Sequence, residues 1–569
     1  MSRVTKKASS VCTDSPLSMS EVCQKMTLMR QILTSCFGPN GRLKQVHNNV
    51  GGHVLTTSTS TSLLQAVSSS EPLLKLITAS ILNHLSRFSD CGLYTGILCF
   101  SLIDHVQKSG LRPSVAIKIN KQLLEVCTSF LNQEDCGCKV NVDFNSCQSL
   151  VTLARSVISS KPACVLTEGE QQHISTLAVH AFLLTVPCGD TLSSPVRLGR
   201  TVTVSIEGQF VLDSTVFPGL LVNVPDMQLH PTDSERIRRG PGPFRLALFT
   251  VSLSGDLSEF GEGFLEVHCG APDPEDLILD QLLKLGEQAV TDQVEVFMCQ
   301  RVIHPVLQHY LRRHGLLVVE RLGIALIQPI VQMTGAQAVA LYQTPIPPEA
   351  YGQVKGCFVR TVGSRKMLHL LPPREPVPAV CTMVLCHRND TMLNELKAAC
   401  QRAEHVLRLT LRDPVGLLGG GCTETHMAAY VSNKVCTAAL SLGVSQSHYL
   451  LGLNGFCSSL ETVALALEHD GGTNLVDLTY AHHWPVPQGE GLQRGDEGEV
   501  PATCGCGLVE RSSRPGLEWT PLNTSFICHM RRIQQVVLDS FTAKLNALQV
   551  AVEMANLVLD IGYVIQDVN

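Results

Sequence analysis

Apolar residues recur at helical spacing near both ends of the chain. Close to the start, this spacing predicts helices at Ser20–Leu33 behind a serine cap, Leu73–Leu85, Ile97–Val106 and, after Pro113, Ser114–Phe130. Close to the end, a cap at Asp539 and Ser540 precedes a stripe made by Phe541, Leu545, Leu548, Val552, Ala555 and Leu559. Such stripes predict buried helix faces, and no chemistry is expected of the last one.

The middle of the chain follows a different pattern. Short apolar runs with β-branched residues predict strands at Phe244–Val251, Val294–Cys299 and Leu316–Val319. Helical patterns lie beside them at Leu277–Gln288, Val306–Arg313 and Ala325–Met333, the last with a break expected at Pro329. Helical ends around an α/β centre indicate that the two termini fold together, with the middle inserted.

Composition narrows the class of protein. Of 569 residues, 44% are hydrophobic and 17% charged, a balance that argues against a disordered chain. The net charge of −6 gives no reason to expect nucleic acid or an anionic membrane as partner. The 23 cysteines are mostly scattered singly through apolar runs, which predicts a reducing, intracellular compartment. The apolar stretch Cys91–Ile103 is too short to span a bilayer, so no membrane insertion is expected.

Two glycine segments are the strongest motifs. One is the loop Gly38, Pro39, Asn40 and Gly41, and the other is Gly419, Gly420 and Gly421 before a helix expected to open at Thr425. Glycines before a helix let backbone N–H groups approach an anion such as phosphate. Taken alone, the triple glycine is more typical of a tight helix–helix turn, and the first loop is either a phosphate loop or merely a turn.

Four stretches together resemble the group II chaperonin family. Phe37–Lys44 resembles its phosphate loop and Gly419–Glu424 its second glycine motif, while Cys299–Ala336 looks like its apical domain and Ala543–Asp560 like its closing helix. The resemblance covers nearly the whole chain. Within the family, Ser35–Lys44, Leu417–His426 and Leu467–Gly472 are similar to a divergent vertebrate branch.

The resemblance implies an α+β multidomain fold of the group II chaperonin type. A mostly helical equatorial domain comes from residues 1–140 and 401–569, with an exposed insertion near Gln488–Arg514. A small intermediate hinge comes from 141–200 and 373–400, and an inserted α/β apical domain from 201–372. The family's helical lid protrusion falls near 250–285, where Ser252–Gly263 is turn-like and polar.

The resemblance also implies where nucleotide would bind. The nucleotide-binding candidates are Gly38, Pro39, Asn40, Gly41, Asp90, Gly419, Gly420 and Gly421. The family's Gly-Asp-Gly-Thr-Thr motif stands here as Ser89–Leu93, which keeps the carboxylate at Asp90 but loses the flanking glycines and both threonines.

Two carboxylates that the family's hydrolysis needs are missing. Ser58 stands where the preceding loop carries one, and Arg402 stands where the catalytic aspartate lies, about seventeen residues before the triple glycine. Arginine stays protonated and cannot act as a base. The family's late motif also departs from its pattern, at His469–Thr473. The prediction is therefore no catalytic residue, no metal site and no efficient ATP hydrolysis.

The resemblance implies a chaperonin-like assembly factor that binds unfolded or unassembled proteins and is not an enzyme. It requires no cofactor, and ATP, ADP and Mg²⁺ are the candidate ligands of its degenerate site. Its partners would be related chaperonin-like subunits and the cytosolic chaperonin, with BBSome subunits as clients, in the cytosol and at the centrosome or ciliary basal body. Two alternatives stay open: an active ATP-dependent folding chaperonin subunit, and a centrosomal structural or adaptor protein.

Other motifs in the sequence are weaker. Ser194–Thr201 is a degenerate form of the phosphate-binding P-loop motif, in a strand-like context. Cys136–Cys138 and Cys504–Cys506 are Cys-x-Cys pairs, which lack the usual zinc-ligand spacing and are therefore interpreted as loop cysteines.

Overall fold

The computed structural model describes residues 10–47, 54–67, 69–134, 136–187, 198–223, 243–255, 274–341, 345–363, 365–373, 380–434, 442–467, 473–477, 482–486, 502–503, 509–510 and 537–567. The chain divides into two compact units. The first contains Met1–Val179 and Asn389–Asn569, and the second contains His180–Arg388. The finer division into equatorial, intermediate and apical parts stays a prediction.

The helices of the described chain have the following bounds: α1 Ser20–Thr34, α2 Ser60–Ala66, α3 Pro72–Phe88, α4 Gly92–Ser109, α5 Pro113–Asn132, α6 Cys147–Ser159, α7 Glu168–Leu184, α8 Pro274–Thr291, α9 Pro305–Arg313, α10 Ile324–Thr334, α11 Asp390–Thr410, α12 Cys422–Lys434, α13 Gln446–Leu465 and α14 Phe541–Asp560.

The strands have these bounds: β1 Ser10–Asp14, β2 Lys44–His47, β3 Val54–Thr57, β4 Lys139–Asn141, β5 Arg200–Glu207, β6 Thr215–Pro218, β7 Leu220–Asn223, β8 Phe244–Phe249, β9 Val296–Cys299, β10 Leu317–Val319, β11 Gly352–Val354, β12 Gly356–Val362, β13 Arg365–Leu371, β14 Val380–His387, β15 Val415–Leu418, β16 Thr473–Asp477, β17 His482–Val486, β18 Ala502–Thr503, β19 Val509–Glu510, β20 Leu538–Ser540 and β21 Tyr563–Asp567.

The predicted helices of the first unit are confirmed, with small changes at their ends. Pro113 is the first residue of α5, where its missing N–H costs no hydrogen bond. Ser540 caps α14, and its side chain accepts a hydrogen bond from the backbone N–H of Ala543. The serine cap expected for α1 is wrong, because Ser20 is already helical and Met19 is the capping residue.

The core of the first unit is built from both ends of the chain. Helix α14 packs against α3, α4 and α5. Leu33 and Tyr94 from the beginning share one cluster with Phe456 and Leu548 from the end, and each is at most 1% exposed. Burying this much apolar surface is the main force that holds the two chain segments together.

A small antiparallel sheet in the first unit was not predicted. Its strand order is β20-β15-β4, and Gly416 lies opposite both Ser540 and Val140. These strands have only three or four residues, too few for an alternating pattern to stand out beside long helices. The sheet fixes the place at which the chain enters the triple glycine.

The second unit contains the predicted α/β alternation. Strands β8, β9 and β10 are parallel, with α8 and α9 as crossovers, and β11 adds an antiparallel edge. Phe249 and Phe297 stack at a centroid distance of 4.8 Å in the core on one side of the sheet, and Leu248 and Met298 lie in the core on the other. Two further sheets, β12-β13-β7 and β5-β14-β6, complete the unit.

The break predicted at Pro329 is wrong. Helix α10 continues through this residue to Thr334. A proline in a helix interior removes one backbone hydrogen bond. Here the buried neighbours Ile330 and Met333 belong to a core cluster, so tertiary packing offsets that loss.

Several predicted features lie wholly or largely outside the described residues. These are His469–Gly472, Cys504 and Cys506, most of Gln488–Arg514 and the segment 256–273 of the lid region, together with the first half of Ser194–Thr201. Within the described part of the chain, no helix is long and apolar enough to cross a membrane.

Candidate nucleotide-binding site

The triple glycine links strand β15 to helix α12. The φ angles of Gly420 and Gly421 are 65° and 88°, a region that residues other than glycine rarely adopt. The backbone N–H of Gly419 donates to the carbonyl of Val537 at 2.8 Å, and a Cβ on Gly419 would lie 2.8 Å from Val537 Cγ1. The helix begins at Cys422 rather than at Thr425 as predicted. The turn therefore needs its glycines whether or not a ligand binds.

The first glycine loop is a tight turn as well. Gly38 has a φ of 78°, and the backbone N–H of Gly41 donates to the Gly38 carbonyl at 3.2 Å. A Cβ on Gly41 would lie 2.5 Å from the carbonyl oxygen of Cys36, so backbone would have to shift. Pro39 and Asn40, between the glycines, are exposed.

Asp90 lies at the junction of α3 and α4 between two strained residues. Ser89 and Cys91 have φ angles of 59° and 62°, in the left-handed region. These are the positions at which the family motif carries glycine, so the junction keeps the backbone conformation while losing the residues that adopt it without strain. The Nε2 of His84 on α3 lies 2.9 Å from the Asp90 carbonyl oxygen, a contact that stabilises the junction.

The carboxylate of Asp90 faces buried cations of the protein itself. Lys161 Nζ lies 3.7 Å from Asp90 Oδ1, and both side chains are largely buried. Burial raises the pKa of Asp90, but Lys161 and the backbone N–H of Cys91 outweigh it, so the pKa lies below its usual value. Burial lowers the pKa of Lys161. The one family carboxylate that survives is thus ionised and already paired.

Ser58 belongs to a buried row of hydroxyl groups that hold a carboxylate from another helix. Glu395 on α11 accepts hydrogen bonds from the Ser58 backbone N–H at 3.3 Å, the Thr59 hydroxyl at 2.9 Å and the Thr57 hydroxyl. Glu395 is itself buried. A carboxylate therefore lies next to Ser58, and its oxygens accept hydrogen bonds from the loop.

Arg402 places a buried positive charge where the catalytic aspartate is expected. It follows Glu395 by about two helical turns, so both residues lie on one face of α11. Its Nη2 donates to the Thr61 hydroxyl at 3.4 Å. Burial lowers the pKa of Arg402 from its usual value, while Asp90 and Glu395 oppose this shift. A cation held in this way excludes general-base chemistry at this position.

Lys544 is a site residue that the sequence analysis missed. Its Nζ lies 2.5 Å from Glu424 Oε1, 2.8 Å from Asp539 Oδ2 and 4.4 Å from the centre of the Tyr94 ring. Burial would lower the pKa of Lys544, but Asp539 and Glu424 raise it well above the usual value. The pair with Glu424 ties α14 to the first turn of α12, directly after the triple glycine. The available signal was a lysine within an otherwise apolar helical stripe.

The triple-glycine turn lies at the start of helix α12, and a helix N-terminus is a place where anions bind. Asp90 and Glu395 are engaged by Lys161 and by hydroxyl groups, and within the described residues no group of three or more His, Cys, Asp or Glu is placed to hold a metal ion. Because the carboxylates of Asp90 and Glu395 are engaged within the protein, they do not fit the role of Mg²⁺ ligands. The structure places Asp90, Ser58 and Arg402 around one buried network, while each glycine segment packs against its own neighbours.

Comparison with known proteins agrees with the motifs. Residues 29–569 match the TCP-1/cpn60 chaperonin family. The chain is similar to Molecular chaperone MKKS of Homo sapiens, with 43% identity over 583 residues covering 100% of both chains, and equally to that of Mus musculus. It also resembles Thermosome subunit alpha of Saccharolobus solfataricus, at 22% identity over 80% of each chain. The chain therefore belongs to the TCP-1/cpn60 chaperonin family.

Proposed function

We propose that the protein is a chaperonin-like assembly factor that binds unfolded or unassembled proteins and does not hydrolyse ATP efficiently. The observation that carries this proposal is Arg402, a buried cation where the family's hydrolysis needs a carboxylate. Phosphoryl transfer is catalysed by placement of the attacking water and by metal-held charge. A site with Arg402, Ser58 and a prepaired Asp90 supplies neither.

The retained glycine turns favour nucleotide binding without turnover. In that state the protein would hold partners rather than cycle between open and closed forms. The absence of hydrolysis separates the proposed function from that of an active folding chaperonin, which requires hydrolysis. Affinity for non-native chains separates it from a pure adaptor, which requires no such affinity.

Phosphate release at saturating Mg-ATP tests the hydrolysis part. An active thermosome subunit serves as the positive control, and we expect a rate at least about 100-fold lower, as for loss of a catalytic base. Turnover within a few-fold of the control would contradict the proposal. The chaperone part is tested by mixing the protein with a chemically unfolded model protein and measuring whether it suppresses aggregation of that model protein. Failure to suppress the aggregation would favour the adaptor.

We extend the proposal to partners and location. The protein would work with related chaperonin-like subunits and the cytosolic chaperonin on BBSome subunits, in the cytosol and at the centrosome or basal body. The predicted equatorial, intermediate and apical division belongs to this proposal. Loss of BBSome assembly on deletion of the protein is expected, and normal assembly would contradict it.

We expect hetero-association or a monomer rather than a homo-oligomeric ring. A closed ring needs one equatorial interface repeated around its symmetry axis. The polar insertion Gln488–Arg514 is expected to obstruct that interface. Native mass spectrometry of the purified chain and of its complexes, with and without ATP, measures this, and a particle of about sixteen identical subunits would overturn it.

A further inference from the structure

Two cysteine thiols are in contact in a segment that neighbours the triple glycine. Cys136 and Cys138 lie in the turn between α5 and β4, and their Sγ atoms are 3.0 Å apart. Both side chains are fully buried, so they are a preformed pair rather than the independent loop cysteines expected from the sequence. A disulfide needs an Sγ–Sγ distance of about 2.05 Å, so bond formation requires a movement of only about 1 Å.

The two thiols are chemically unequal. The hydrogen bond from the Cys138 thiol lowers the pKa of Cys136 below its usual value, and Lys139 acts in the same direction. The same hydrogen bond and burial raise the pKa of Cys138 well above the usual value. Cys136 is therefore the more readily ionised sulfur of the pair, and the thiolate is the nucleophilic form.

A small oxidant has a short route to this pair. The three residues that precede the pair in the described chain, Asn132, Gln133 and Glu134, are exposed. The turn itself is closed by the backbone hydrogen bond from Cys136 N–H to the Gln133 carbonyl, at 3.3 Å. Access of an oxidant to Cys136 therefore requires local opening of the chain around this buried position.

The pair is bonded to the triple-glycine segment. The carbonyl of Cys138 accepts the backbone N–H of Leu418 at 2.9 Å, one residue before Gly419. Thr423, the second residue of α12, donates to the Leu418 carbonyl at 2.7 Å and is also a hydrogen-bonding neighbour of the Cys138 thiol. A change in the backbone at Cys136–Cys138 therefore moves the Cys138 carbonyl, which is the hydrogen-bond acceptor of the Leu418 backbone N–H.

We propose that Cys136 and Cys138 form a redox site at which a peroxide converts the dithiol to an intrachain disulfide, and that this disulfide shifts the triple-glycine segment. The thiolate of Cys136 attacks one peroxide oxygen, the O–O bond breaks, and hydroxide leaves to take up a proton as water. The sulfur of Cys138 then attacks the sulfenic acid and displaces hydroxide, which takes the thiol proton. Overall, two thiols and one hydrogen peroxide give one disulfide and two waters. Because a ring closed over a single glycine is strained, cellular thiols reduce it readily.

The test is peptide mapping of the full chain after hydrogen peroxide, with alkylation of remaining thiols. To remove exchange with the second Cys-x-Cys pair, Cys504 and Cys506 are replaced by serine in all samples. We expect a peptide holding Cys136 and Cys138 that is unalkylated and lighter by about 2 Da, the two hydrogens removed, and restored by dithiothreitol. This measurement needs no substitution in the buried pair, so it stands even where such a variant folds poorly.

Variants assign the bond and its effect. Cys136→Ser and Cys138→Ser are expected to abolish the mass change, while Cys99→Ser keeps it. Cys99 is equally buried, but burial alone raises the pKa of its thiol to about 12. Hydrogen exchange at residues 418–421 is expected to change on oxidation in the parent and in Cys99→Ser, and to stay constant in Cys136→Ser.

Two results would overturn the inference. A pair that stays reduced while the exposed Cys12 and Cys147 are oxidised would remove the redox site. A disulfide that forms without any change in exchange at 418–421 would remove its coupling to the glycines. Neither outcome depends on nucleotide binding or ATP turnover, so the inference stands or falls apart from the proposed function.

Discussion

Glu395 accepts a 2.9 Å hydrogen bond from the hydroxyl of Thr59, and both residues are buried. The bond joins helix α11 to the loop that enters α2, two segments more than three hundred residues apart in the sequence. The resemblance to group II chaperonins predicts a carboxylate within this loop. In the structure the carboxylate comes from α11 and the loop supplies the donors, so the contact is structural.

We expect Glu395→Ala to lower the free energy of unfolding by about 3 kcal/mol, because four loop donors lose their acceptor and Arg402 loses a nearby negative charge. Glu395→Gln keeps one acceptor oxygen and should cost less. Glu404→Ala on the same helix breaks only the ion pair with Arg408 and should cost at most about 1 kcal/mol. Chemical denaturation measures all three, and equal costs for the two alanine variants would contradict the assignment.

Ser89→Gly should stabilise the protein by about 0.5–1 kcal/mol. The residue has a φ of 59°, where a Cβ is strained and glycine is not. The matched control is Ser86→Gly, in the last turn of the same helix, where glycine is expected to destabilise by up to about 1 kcal/mol. Thermal unfolding of both variants gives the comparison. The same sign for both would show that backbone strain at Ser89 is not what the substitution relieves.

The ion pair of Asp90 predicts an acid-dependent loss of stability. The pKa of Asp90 is lowered in the folded protein, so its contribution is complete above the unfolded value, about 3.9, and disappears as pH falls through the lower folded value. Asp90→Asn should therefore destabilise most near neutral pH, and its difference from wild type should shrink below about pH 4. Asp560→Asn, at an exposed carboxylate, controls for general charge effects. A difference that stays constant from pH 7 to pH 3 would contradict the pairing.

The sequence predicted most helices because their apolar periodicity reports directly on burial. Helices α1, α3, α5 and α14 lie within a few residues of their expected bounds. The pattern could not identify Glu395 or Lys544, because a single charged residue in an amphipathic helix looks solvent-exposed until its partner is known. Both partners lie far away in sequence, at Thr59 and Glu424. For the same reason Cys136 and Cys138 were interpreted as loop residues, although tertiary packing buries them.

Gly420→Val tests whether the triple glycine binds nucleotide as well as making a turn. We expect measurable binding of ADP to the wild type and at least about tenfold weaker binding to the variant, because a side chain would stand where backbone N–H groups approach phosphate. Gly443→Val is the matched control: its φ of 64° imposes similar backbone strain, but a Cβ there meets no atom within 4 Å. Titration calorimetry measures both. Equal affinity of the two variants would place the nucleotide elsewhere.

Arg402→Asp restores the family's residue type and is still expected to leave ATP hydrolysis at the wild-type level. The new carboxylate would lie near Asp90 and Glu395 without the cation that now balances them, and Ser58 would still supply no metal ligand. We expect the free energy of unfolding to fall by about 3–5 kcal/mol at neutral pH. A buried carboxylate beside like charges has a raised pKa, so part of this loss should be recovered as pH falls through that value.

Gln401→Asp adds the same group one residue earlier at an exposed position and should show neither effect. Phosphate release at saturating Mg-ATP and denaturation from pH 5 to pH 8 measure the outcome. Recovery of turnover by Arg402→Asp alone would show that one substitution, and not the whole rebuilt charge network, silences the site.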